Sequence, residues 1–171
     1  SAMVSANGRL FYIFDHADSM SIQLPSKWEL VARDAFNGAV LWRKPIPNWF
    51  TQMYRLKSGP VQVTRRLVAV EDKVYVTLGY EAPVSILDAA TGELIQELRG
   101  SEKTEEIIVD GGQVFLQKAV NPFSQPTLPS DYLYEYQEGP RSIASYDIES
   151  GELLWEYATP NSLPQSLTAG T

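Results

Sequence analysis

The chain has 171 residues, 44% of them hydrophobic and 20% charged, enough apolar material for a folded core. Its net charge of −7 and pI of about 4.7 lack the basic footprint of a nucleic-acid binder, and no basic cluster exceeds the pair Arg65 and Arg66. With no cysteine it has no disulfide, thiolate metal site or cysteine nucleophile, and no apolar run approaches the roughly 18 residues of a spanning helix.

Ser1, Ala2 and Met3 read as a cloning scar, which would leave the natural start of the protein and any targeting signal unknown. From there the pattern has period two, with β-branched and aromatic residues bounded by turn residues, and no amphipathic helix is evident. The first unit, residues 4–46, has strands at Arg9–Phe14, Glu29–Asp34 and Ala39–Lys44 and is expected to be incomplete, lacking its first strand. Residues 47–60 then form an inter-unit loop. In residues 61–99 the strands fall at Leu67–Val70, Lys73–Leu78, Val84–Asp88 and Glu93–Leu98. In residues 100–158 they fall at Glu106–Asp110, Gln113–Lys118, Ile143–Asp147 and Glu152–Tyr157, with a long insertion over 119–141. Residues 159–171 form a tail or begin a further unit.

One corner is spelled three times, as Asp34–Gly38–Trp42, Asp88–Gly92–Gln96 and Asp147–Gly151–Trp155. A five-residue hairpin on a type I turn needs one residue at positive φ, which the glycines supply without steric cost. Each Asp can accept hydrogen bonds from its own turn, so these three read as turn-formers and not as metal ligands. Four residues after each Gly, a flat side chain can lie over the neighbouring unit's turn and fasten unit to unit. Gln96 breaks the aromatic pattern, so the fastening made by the middle unit is expected to be weaker.

This Asp-x-x-x-Gly-x-x-x-Trp pattern, repeated in register behind strands containing Tyr or Phe, resembles the repeat of the PQQ-like β-propellers, found in quinoprotein alcohol dehydrogenases and in propeller lipoproteins of outer-membrane barrel assembly. The resemblance covers Gly8 to Tyr157 and implies an all-β partial propeller of about three four-stranded antiparallel blades, in an extracytoplasmic protein. It does not carry the quinone cofactor with it. Quinoprotein dehydrogenases add a vicinal disulfide and a calcium site of Glu, Asn and Asp, and this chain has no Cys. Propellers close with about 4–8 blades, so three units either belong to a longer propeller or associate, with the tail 159–171 supplying the missing first strand to a second copy.

Every insertion falls on one end of the blades. From the second strand to the Gly of the turn, Val74 to Gly92 takes 18 positions, Leu10 to Gly38 takes 28 and Val114 to Gly151 takes 37. The inserted loops hold Trp49, Phe50 and Tyr54, and Phe123, Tyr132, Tyr134 and Tyr136, among prolines. Aromatics on stiffened loops suit recognition, and they also suit covering their own blades. Asp15–Asp18 brackets the one histidine, His16, with carboxylates, a place where a metal or a general base is conceivable, although a lone loop His is ordinarily neither. No phosphate loop, nucleophile elbow or zinc-protease helix is present. The expected function is therefore a non-catalytic scaffold without cofactor or metal, binding a protein or glycan partner, or another copy, through the long-loop face. The alternative is a piece of a quinone-dependent dehydrogenase.

Overall fold

The computed structural model describes residues 3–17, 27–47, 65–79, 81–120, 140–159 and 167–169. They form twelve strands in three four-stranded antiparallel sheets, each a meander. The first blade comprises β1 (Met3–Ala6), β2 (Arg9–Asp15), β3 (Trp28–Asp34) and β4 (Val40–Pro45). The second comprises β5 (Leu67–Val70), β6 (Lys73–Thr77), β7 (Val84–Asp88) and β8 (Leu94–Glu97). The third comprises β9 (Thr104–Asp110), β10 (Gln113–Ala119), β11 (Arg141–Asp147) and β12 (Leu153–Thr159). The first strands of successive blades lie side by side, β5 between β1 and β9, so the sheets are arranged radially about one edge.

The first blade is complete, which corrects the expected missing strand. β1 is only four residues of Met-Val-Ser-Ala, too short and too weakly apolar to register by pattern, but Asn7 and Gly8 at φ 45° and 73° close it onto β2 as a two-residue hairpin. The place that the tail of a second copy was expected to fill is already occupied by β1. Met3 itself belongs to that strand, and residues 1 and 2 lie outside the described residues.

The three Gly corners are superimposable in their bonding. Gly38, Gly92 and Gly151 have φ of 75°, 74° and 69°. Asp34 Oδ1 accepts from the amides of Phe36 and Asn37, both at 2.9 Å. Asp88 does the same for Ala90 and Thr91, and Asp147 for Glu149 and Ser150. The residue after each Asp donates its amide to the hairpin turn of the same blade: Ala35 to Gly8, Ala89 to Asp72 and Ile148 to Gly112. Both short turns of each blade are thereby tied together at one end of the molecule, leaving the long connections to the other.

Packing uses both faces of the middle sheet, as the alternation of a doubly buried sheet requires. Val74, Val76, Leu87 and Ala89 meet Phe11, Ile13 and Leu30 of the first blade. Tyr75 and Ile86, one position out of phase, meet Val114, Leu116 and Tyr146 of the third. A β-bulge recurs at the same register in the last hairpin of every blade, between Ala32/Arg33, Ile86/Leu87 and Ser145/Tyr146. The extra residue shifts the outer strand's alternation by one. That shift turns Trp42 and Gln96 toward the following blade and sets Trp155 in the same row as Phe115 of its own blade, and the sequence pattern gave no sign of it.

Candidate functional site

At the turn end, side chains fasten one blade to the next. Trp42 Nε1 donates to the carbonyl oxygen of Ala89 at 3.0 Å, while its indole covers Gly92. Lys44 adds a bond from Nζ to the carbonyl of Gly92 at 3.0 Å. Gln96 lies over Gly151 in the same way, its Nε2 donating to the carbonyl of Ser150 at 2.6 Å. The glutamine thus keeps the joint with an amide hydrogen bond in place of ring area. Among the described residues no such turn lies beneath Trp155; it is 37% exposed and rests against Phe115 and Tyr157. This end is scaffold, and its three aspartates are consumed by turn amides.

The opposite end is where residues 16–27, 78–83 and 120–140, and also 46–66 and 98–103, connect the strands. Its described part is polar and paired. Asp15 Oδ1 accepts from the amides of Ala17 at 2.9 Å and Lys27 at 2.7 Å, pinning both feet of the first long loop. His16 Nε2 stands 3.1 Å from Glu29 Oε2, which Arg43 Nη1 also meets at 3.3 Å. The histidine and its carboxylate are thus engaged with each other beside a guanidinium, and Asp18 lies outside the described residues. Among the described residues, no group of three His, Cys, Asp or Glu side chains is placed to hold a metal ion.

Between the second and third blades the same end holds two buried carboxylates that sequence reasoning passed over. Glu105 is the extra residue of a bulge in β9 opposite Gln117/Lys118, and Glu106 stands next to it, paired with Gln117. Arg141 Nε lies 2.6 Å from Glu105 Oε2, with both side chains almost fully buried. Arg65 Nη1 lies 2.6 Å from the buried Glu106, whose other oxygen accepts from the amide of Leu167 at 3.4 Å. The available signal was two adjacent Glu opening an otherwise apolar strand, which is unusual for buried positions unless cations arrive from elsewhere. The aromatics Trp49, Phe50, Tyr54, Phe123, Tyr132, Tyr134 and Tyr136 lie outside the described residues.

A family model of PQQ-like repeats, described as the outer membrane protein assembly factor BamB, matches residues 26–170. The chain belongs to this PQQ-like β-propeller family. Among solved structures, the PQQ-like chain is similar to a europium-containing methanol dehydrogenase, with a TM-score of 0.55 and 14% identity over 92% of this chain and 24% of that one. It is equally similar to the acylaminoacyl peptidase of Pyrococcus horikoshii, with a TM-score of 0.58 and 12% identity over 94% of this chain and 25% of that one. The chain spans about a quarter of the length of those two proteins. No curated protein matches it by sequence. At such low identity the two likenesses establish the propeller fold alone, and one is to a dehydrogenase while the other is to a peptidase.

Proposed function

We propose that this PQQ-like propeller chain is a non-catalytic scaffold that presents its long-connection end to a protein partner in an extracytoplasmic compartment. The observation that carries the reading is the division of labour between the two ends. One is locked by turn-to-turn hydrogen bonds and by Trp42 and Gln96, whereas the connections that vary in length all leave from the other. Length variation on one rim of a rigid repeat is how a scaffold carries a binding surface. The family match to an outer membrane protein assembly factor favours a protein over a glycan as the partner and supports the extracytoplasmic location.

A quinone-dependent dehydrogenase finds less support. A tricarboxylate quinone needs available cations and a bound metal, but the guanidinium groups of Arg65 and Arg141 are already met by Glu106 and Glu105.

Photo-crosslinkers placed at Trp49, Phe50 or Tyr134 are expected to give protein adducts with the partner when the chain is produced in its native compartment, and the same groups at Glu93 or Glu152 are expected to give none. Adducts from the turn end alone would reverse the assignment. Addition of PQQ with calcium is expected to leave the melting temperature unmoved, and a saturable rise would favour the dehydrogenase.

A further inference from the structure

The chain contains two Asn-Gly pairs, Asn7–Gly8 and Asn37–Gly38, each in an exposed turn of the first blade. Asn-Gly is the pair in which an asparagine side chain most readily reacts with its own backbone, because no Cβ on the glycine crowds the approach to its amide nitrogen. The product is a five-membered imide that joins the glycine nitrogen to the asparagine Cγ. In a folded turn the reaction requires the peptide group between the two residues to rotate, so any hydrogen bond that holds this group protects the pair.

The two pairs are held very differently. At the second, the Gly38 amide donates to the carbonyl of Asp34 at 3.0 Å. The Asn37 amide donates to Asp34 Oδ1 at 2.9 Å, and Asn37 Oδ1 accepts from the amide of Ala39 at 2.8 Å. Both the nucleophile and the carboxamide that it would attack are thereby fixed. At the first, Ala6 and Arg9 close the hairpin, and the peptide group between Asn7 and Gly8 is hydrogen-bonded to none of the described residues. Asn7 sits at φ 45°, a left-handed conformation that a side chain adopts at a cost. Its carboxamide meets Asp72 Oδ1 at 3.3 Å from Nδ2, and Arg9 Nη1 meets the same oxygen at 3.1 Å. Opening this turn breaks one long, exposed side-chain bond, whereas opening the other breaks three shorter ones.

We propose that Asn7 is a self-modification site, converting to aspartate and isoaspartate while Asn37 is protected by its corner. The Gly8 amide loses its proton to water and attacks Asn7 Cγ; the bond from Cγ to Nδ2 breaks, and the nitrogen takes a proton from water and leaves as ammonia. Water then opens the imide. Attack at Cγ gives aspartate, and attack at the main-chain carbonyl gives isoaspartate, with the chain rerouted through Cγ. Neither oxidant nor reductant takes part. The product sets a second carboxylate where Asn7 had donated to Asp72, so a hydrogen bond between the first hairpins of two blades becomes a like-charge contact with only Arg9 to share. Ageing of this turn therefore weakens the joint between the first and second blades. This inference is independent of the loop-end partner.

Peptide mapping by mass spectrometry tests it on the full chain held at mildly alkaline pH, both folded and in urea. In urea the two pairs are expected to gain one mass unit at similar rates. In the folded chain Asn7 is expected to convert roughly tenfold faster than Asn37, to a mixture of aspartate and isoaspartate. Equal folded rates, a faster Asn37, an intact Asn7, or aspartate without isoaspartate would each overturn the site. The weakened joint is read on Asn7→Asp, expected to melt about 1–3 °C below the wild type. Adding Asp72→Asn is expected to restore most of that loss, since a single carboxylate again faces Arg9. An Asn7→Asp variant that melts with the wild type, or a loss that Asp72→Asn leaves unchanged, would overturn the effect on the joint.

Discussion

Trp42 lies so close over Gly92 that a Cβ built on the glycine would stand 2.7 Å from the indole Cδ2. The same corner in the first blade has the same backbone with none of the described residues within 4 Å of a Cβ built on Gly38, so the pair separates two costs that usually travel together. Gly38→Ala is expected to lose only the left-handed backbone penalty, about 1–2 kcal/mol. Gly92→Ala adds overpacking against the ring, about 1–3 kcal/mol more. Urea midpoints of the two variants measure the difference, and equal losses would show that the indole yields freely.

The tryptophans should separate in the same way. Trp42→Ala removes a ring packed between blades together with its bond to Ala89, and is expected to cost about 3–5 kcal/mol. Trp155→Ala loses only its contacts with Phe115 and Tyr157, about 1–2 kcal/mol. Gln96→Ala loses one partly exposed hydrogen bond, about 0.5–1.5 kcal/mol. Chemical denaturation of the three variants gives the order Trp42, Trp155, Gln96; an equal loss at Trp42 and Trp155 would contradict the one-sided burial described above.

Where the physics is local, the sequence was readable. An Asp that caps its own turn and a Gly that needs positive φ are decided within five residues, so all three corners, and the end of the blades that carries the insertions, could be placed from spacing alone. β1 was missed because Val4 and Ala6 offer little apolar signal and its pairing depends on β2 for support. The outer-strand bulges were missed because one extra residue changes the phase of an alternation without changing its composition. The Glu105–Arg141 pair joins residues 36 positions apart, and no local pattern announces which cation will meet a buried carboxylate. His16 was noticed for its neighbours Asp15 and Asp18, but its partner is Glu29, across the sheet.

The corners also set the acid limb of stability. In Asp34 the amides of Asn37 and Phe36 hold the carboxyl below its ordinary value. In Asp88 and Asp147 the amide and hydroxyl of Thr91 and of Ser150 do the same. A depressed folded value means that the stabilisation is present above the ordinary carboxylate pKa and is lost as pH falls through the folded values. Urea midpoints should therefore drop below about pH 4, and the triple Asp→Asn variant should flatten that limb. At the other extreme, burial pushes the phenols of Tyr75 and Tyr146 up to about 12, with Glu71 adding to the first and Glu156 and Glu102 to the second. Their raised values give stability that is full below the unfolded phenol value near 10 and lost as pH climbs toward 12. Tyr75→Phe and Tyr146→Phe should remove that alkaline loss; a base limb unchanged in both would mean that the phenols ionise in the folded chain.

Arg141 tests whether the loop end is held by charge pairing. Its guanidinium meets Glu105 with Nε at 2.6 Å from Oε2 and Nη2 at 3.5 Å from Oε1, in a site where neither side chain is more than 2% exposed. Removing one partner strands the other charge away from water, so Arg141→Met is expected to destabilise by about 3–5 kcal/mol. Removing both is a different experiment. Glu105→Gln combined with Arg141→Met removes both charges of this pair, and such replacements are often close to neutral because desolvation offsets most of the Coulombic gain. The double variant is therefore expected to recover most of the loss, with a coupling energy well above the roughly 0.2–1 kcal/mol of exposed pairs. A double-mutant cycle by urea denaturation reads it directly. If the two single losses simply add, the pair is not an energetic unit, and Arg141 and Glu105 would stabilise the third blade through separate contacts with its connecting segments.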